Sequence, residues 1–232
     1  MPTGPSPETF AIDDKRGRIY VSDEDGPSIG FLDIAQNKII KEMPTAPEPE
    51  GVLLGPGGKA LYATSEVGNL VHVIDPDTAT ITRSIVVGTR PRRLLMTPDA
   101  KELWVSAELA GEVDIIDPLA AAVTHRIDFL PPGMRKSDVT PVGMAMSPDG
   151  KTAYVSLGHA AHVAVLDVPT HKVEAYILVG KRPWGITLSH DGRRLYVANG
   201  FGDDVTIIDT QSRRPLISVP VGQVPWGVAI DD

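Results

Sequence analysis

Glu24, Glu66 and Glu108 recur at a single interval, and Arg90, Arg92, Arg93, Lys181, Arg182, Trp184 and Trp226 gather at three points of the chain. Guanidinium groups bind carboxylates through parallel hydrogen bonds, and an indole offers a flat apolar contact. Together these residues fit a surface that takes up a small polar ligand or an acidic partner. The competing reading leaves the loop Glu and Arg residues solvated or paired with one another, with each Trp packed at a junction. His159-Ala-Ala-His162 has a spacing at which two imidazoles reach one metal, yet no carboxylate in that stretch completes a ligand shell, so surface histidines are expected and no metal site. No Gly-x-Ser-x-Gly elbow is present, so no catalytic residue is assigned.

The elements that position these residues follow from a repeat. Prolines stand at 7, 49, 91, 141, 183 and 225, and Tyr20, Tyr62, Trp104, Tyr154 and Tyr196 follow the first five at a constant offset. The aspartates Asp33, Asp75, Asp117, Asp167 and Asp209 keep the same intervals, so three residue types report one unit of about 42 residues. Each unit contains four short β-branched segments separated by turn residues, which predicts a four-stranded meander. The strands are apolar on nearly every residue, as in sheets covered on both faces. The fold class is therefore all-β: a β-propeller of four-stranded antiparallel blades, at 7–48, 49–90, 91–140, 141–182 and 183–224, with an extra strand at 225–232. Up-and-down blades place Glu24, Glu66 and Glu108, each four residues after its aromatic, beside the linkers that hold the Arg and Lys residues. The repeated aspartates end strands before turns and are expected to accept hydrogen bonds from the following amides.

Composition excludes several function classes. The 232 residues carry a formal net charge of −8, which argues against nucleic acid held on a basic surface. No segment approaches the apolar length of a membrane span. Cysteine is absent, which removes thiolate redox and metal chemistry, and no cofactor is expected. The amino terminus as given has no charged-then-apolar leader pattern. Five complete units and one further strand do not close on paper. The arrangement is read as the carboxy-terminal part of a longer propeller, with self-association through open blade edges as a consequence, against the rival of a five-bladed ring with a spare strand.

The repeat Tyr154-Val-Ser, Tyr196-Val-Ala-Asn199, with Val-Ile-Asp and Val-Gly in register, resembles the YVTN family of bacterial β-propellers. Pro47-Glu-Pro-Glu-Gly51, Arg90-Pro-Arg92 with Glu102-Leu-Trp-Val-Ser-Ala-Glu108, the stretch Gly133–Gly143 and Val179-Gly-Lys-Arg-Pro-Trp-Gly185 resemble the subfamily of PQQ-dependent catabolism-associated β-propeller proteins. An eight-residue insertion before Pro141 shares this register. The resemblance implies a seven-bladed ring, a periplasmic location, and a non-catalytic binding or scaffold role accessory to PQQ-dependent alcohol or aldehyde oxidation. The partner would be a dehydrogenase, a c-type cytochrome or a small polar ligand. It does not imply that the propeller binds the quinone. Two alternatives stand beside it: a hydrolase of the lactonase type, disfavoured because the innermost strands offer Gly, Ala, Met, Leu and Thr in place of metal ligands, and a purely structural extracellular repeat.

Overall fold

The computed structural model describes residues 3–231. Five four-stranded antiparallel sheets follow one another as meanders, which is the architecture of β-propeller blades. The first sheet runs through Pro7–Asp13, Arg18–Asp23, Ser28–Asp33 and Lys38–Pro44; the second through Pro49–Leu54, Leu61–Ser65, Leu70–Asp75 and Thr80–Val86. The third comprises Pro91–Met96, Leu103–Ala107, Glu112–Asp117 and Ala122–Asp128. The fourth comprises Met144–Met146, Thr152–Ser156, His162–Asp167 and Lys172–Leu178, and the fifth Pro183–Leu188, Arg194–Asn199, Asp204–Asp209 and Arg214–Pro220.

The chain divides into two compact units. The first runs from the amino terminus through Met96 and includes Ala100–Val105 and Asp114–His125; the second comprises Thr97–Asp99, Ser106–Val113 and the chain from Arg126 onward. In the first unit, Tyr20, Ile29 and Phe31 of one sheet pack against Val52, Leu61 and Ile74 of the next. The Tyr20 and Phe31 rings meet edge to face at 4.9 Å. In the second unit, Tyr154, Val163 and Val165 pack against Ile186, Leu195 and Val197. Burial falls off along each meander: the second strands Leu61–Ser65 and Leu103–Ala107 are buried throughout, whereas the fourth strands are largely exposed. The sequence expectation of two covered faces therefore holds for second and third strands and fails for fourth strands, which form sheet edges.

Pro-x-Gly has a steric origin. A Cβ on Gly51 would overlap the Arg92 carbonyl oxygen, and one on Gly143 the Trp184 carbonyl oxygen, so successive first strands approach to a distance that only glycine permits. A hydroxyl seals each of these contacts. Ser22 Oγ donates to the Glu50 carbonyl at 2.6 Å, Thr64 Oγ1 to Arg92 at 3.1 Å, Ser106 Oγ to Val142 at 2.8 Å and Ser156 Oγ to Trp184 at 2.6 Å. The donors are the third residues of the aromatic-x-Ser/Thr motifs, and every acceptor follows a repeat proline.

The repeated aspartates accept amides in the turns between third and fourth strands, as with Gln36 N–H to Asp33 at 2.8 Å and Ser212 N–H to Asp209 at 2.8 Å. Residues 225–231 form no ladder. They lie along the first strand of the fifth sheet through Gly185 N–H to the Trp226 carbonyl at 3.1 Å and Thr187 Oγ1 to the Val228 carbonyl at 2.7 Å. The insertion before Pro141 folds back on the second unit, where Phe129 and Val139 are buried and Lys136 Nζ donates to the Gly111 carbonyl at 3.0 Å. Among the described residues no helix is long and apolar enough to cross a membrane.

Candidate functional site

The repeat brings two residue positions together. In the first, second and fifth units the amide four residues after the aromatic donates to the carbonyl just before that unit's own repeat proline: Glu24 N–H to Ser6 at 2.9 Å, Glu66 N–H to Glu48 at 2.9 Å and Gly200 N–H to Arg182 at 2.9 Å. Glu48, Arg90 and Arg182 all precede a proline and have left-handed backbone, with φ of 53°, 60° and 56°. That conformation costs a side-chain-bearing residue about 1 kcal/mol or more, and Val224 before Pro225 shares it at 49°, so it belongs to the repeat and not to the charge. In the first, second and fifth sheets the residue after the proline sits in a bulge of the first strand, as between Pro49 and Val52 and between Pro183 and Ile186. Bulges re-aim side chains, here those of Glu50 and Trp184.

In the first unit these positions build a buried cluster. Arg92 donates through Nη1 to Glu66, and its Nη2 lies 3.4 Å from Glu50 Oε1. Arg93 Nη1 reaches the same Glu50 oxygen at 2.9 Å, and Arg90 Nε donates to Glu66 Oε2 at 2.6 Å. Glu50 and Glu66 are 1% and 2% exposed, whereas the Arg90 side chain is 41% exposed and forms the solvent edge. Burial is the dominant influence on both carboxyls, exceeding the opposing pull of the guanidiniums, and each is pushed up to about 7. Burial and then Glu24, which shares a hydrogen bond with it, also raise Glu8. Carboxylate oxygens of Glu24, Glu48 and Glu66 lie within 4.8 Å of one another, a donor set suited to a hard cation.

The second unit holds a different arrangement. Arg182 donates to Glu108 Oε1 at 2.6 Å and Thr140 Oγ1 at 3.0 Å, with its guanidinium carbon 4.6 Å from the Trp184 ring centre. Trp226 stacks on Trp184 at 4.3 Å and keeps 42% of its surface exposed, while Lys181 is exposed. His159 is exposed and His162 turns its Nδ1 to the Ala160 carbonyl at 2.6 Å.

A family model described as "Lactonase, 7-bladed beta-propeller" matches residues 78–219, well over half of the chain. The chain belongs to this family. For a seven-bladed lactonase-family propeller, the expectation that first strands supply no acidic groups needs correction: Glu8 and Glu50 stand in first strands, at the position after the proline. Sequence reasoning selected Arg90 and Arg92 and passed over Glu48 and Glu50, which occupy the same two positions one repeat earlier; the 42-residue offset itself was the signal. No curated protein matches the chain. Among solved structures, hydrazine synthase of Kuenenia stuttgartiensis aligns with a TM-score of 0.71 at 18% identity, covering 96% of this chain and 89% of that one. A catalytically inactive virginiamycin B lyase from Staphylococcus aureus, solved with quinupristin, aligns with a TM-score of 0.77 at 16% identity, covering 93% and 70%. At such identities the likeness concerns the fold of this lactonase-family member alone.

Proposed function

We propose that this propeller hydrolyses a lactone at the Glu50–Glu66–Arg92–Arg93 cluster. One observation carries the reading: two carboxyls almost out of contact with water are held by guanidinium groups, and burial pushes each up to about 7. A carboxyl with that pKa takes a proton from water and returns it within one turnover. Glu50, held by Arg92 and Arg93 through its Oε1, is the base in this reading. In this reading water oxygen adds to the ring carbonyl as Glu50 accepts its proton, and Arg93 stabilises the developing oxyanion. Collapse breaks the ring C–O bond, and the departing alkoxide recovers the proton to give the hydroxy acid. Entry is from the side of Arg90, whose half-exposed side chain covers Glu66. Membership of the lactonase family supports the reaction class, and the site argues the residues.

The experiment is acid release from γ-butyrolactone, δ-valerolactone and glucono-δ-lactone in a pH-stat. The rate should follow an ionisation near 7 and fall at least about 100-fold in Glu50→Gln. Rates no higher than buffer for every lactone would dispose of the reading.

A second reading draws on the stretches that resemble the PQQ-associated propellers and on the Arg182–Trp184–Trp226 surface. It makes the chain a periplasmic binding module beside a PQQ-dependent alcohol or aldehyde oxidation system. Affinity capture from alcohol-grown cells should then enrich a dehydrogenase or c-type cytochrome and lose it in Trp226→Ala; no enrichment counts against the role.

A further inference from the structure

We infer that Thr64 is a positioning residue that sets the placement of Glu50, Arg92 and Arg93 through the main chain; this rests on the cluster being the working site. Thr64 is fully buried. Its Oγ1 accepts the Gly51 amide at 2.7 Å and donates to the Arg92 carbonyl at 3.1 Å. One hydroxyl therefore joins the Glu50–Gly51 peptide to the Arg92–Arg93 peptide, the two peptide groups from which all three charged side chains project. The other edge of the Glu50–Gly51 peptide is held as well, by Ser22 Oγ at 2.6 Å on its carbonyl.

The same device elsewhere carries no charge. Ser156 Oγ accepts the Gly143 amide at 2.8 Å and donates to Trp184, and the residue after the proline there is Val142. Closing the approach between first strands is thus the general task of these hydroxyls, and at Thr64 that task also fixes the ion-pair distances of 2.9 and 3.4 Å to Glu50. Coulombic interactions between buried groups change steeply over such distances, so a main-chain shift of tenths of an ångström is felt by the carboxyls.

The test is a ¹³C carboxyl NMR titration of Glu50 and Glu66 in the full chain, which needs no turnover. Thr64→Ser should titrate as the wild type, Thr64→Val should displace the midpoints of the pair by about 0.5 unit or more, and Ser156→Ala should leave them in place while losing comparable stability. Wild-type titration in folded Thr64→Val overturns the inference, as does an equal displacement in Ser156→Ala. If Thr64→Val does not fold, Ser22→Ala releases the opposite edge of the same peptide, and unchanged midpoints there overturn it equally. Displaced midpoints in a protein that hydrolyses no lactone would uphold the positioning and remove the proposed reaction.

Discussion

Arg182 Nη2 donates to Glu108 Oε1 across 2.6 Å, with side chains only 9% and 5% exposed. A buried pair contributes modestly against neutral replacements, but removing one member strands the other's charge. Arg182→Ala should lower stability by about 3–5 kcal/mol. The double replacement Arg182→Met with Glu108→Gln should recover most of that loss. Urea midpoints of the wild type and the two variants decide it, and equal losses in single and double variants would contradict the buried-pair account.

Glu50 and Glu66 give stability an unusual pH dependence. Each keeps its proton in the folded chain up to about 7, whereas the unfolded chain releases it near the ordinary value of 4.5. Over that window the folded state binds more protons, so stability falls as pH rises, by up to about 1.4 kcal/mol per unit for each group. Glu50→Gln should flatten the decline. Melting temperatures between pH 5 and pH 8 in the two proteins provide the measurement, with the pH limits set around these pKa values.

His72 acts in the opposite sense. The Ala46 amide donates to its Nε2 at 3.3 Å, which places the ring proton on Nδ1 facing Ser84 Oγ at 2.9 Å. Burial holds the imidazole below its ordinary 6.5. As pH drops below 6.5 the unfolded chain takes up a proton that the folded chain resists, so stability declines on acidification. His72→Gln should remove this component. Because it opposes the carboxyl effect with one group against two, it lessens the wild-type slope in weak acid without cancelling it, and only the single variants separate the two.

Gly143→Ala should destabilise by about 3 kcal/mol, since the added methyl meets the Trp184 carbonyl. Gly222→Ala, with nothing within 4 Å of its Cβ position, should change stability by less than about 0.5 kcal/mol. Comparable losses at both positions would refute the close-approach explanation of Pro-x-Gly.

The five sheets were legible in the sequence because prolines, aromatics and aspartates each marked the period independently. The adjacency of Glu66 to Arg90 and Arg92 also follows from the up-and-down connection, whereas Glu108 meets Arg182 from one unit further on, which the connection alone does not give. Burial was not legible: an offset cannot tell that Arg92 closes over Glu66 and Glu50 until three-dimensional packing excludes water. The hydroxyl contacts escaped for another reason. Ser22, Thr64, Ser106 and Ser156 read as letters of a strand motif, and their acceptors are main-chain carbonyls, which leave no mark in side-chain identity. Residues 225–232 were expected as a strand because their residues match earlier first strands, but the described part, 225–231, is met only by the Gly185 amide and the Thr187 hydroxyl, which do not make a ladder, and Asp232 lies outside the described residues.

Each of those hydroxyls addresses a backbone oxygen, so the identity of the residue carrying it is irrelevant to the seam. Glu50, Arg92, Val142 and Trp184 take turns at one equivalent place, an acid, a base, an aliphatic and an indole on an unchanged frame. Assembly and chemistry are thereby decoupled, and a lineage or an engineer can rewrite the second without renegotiating the first.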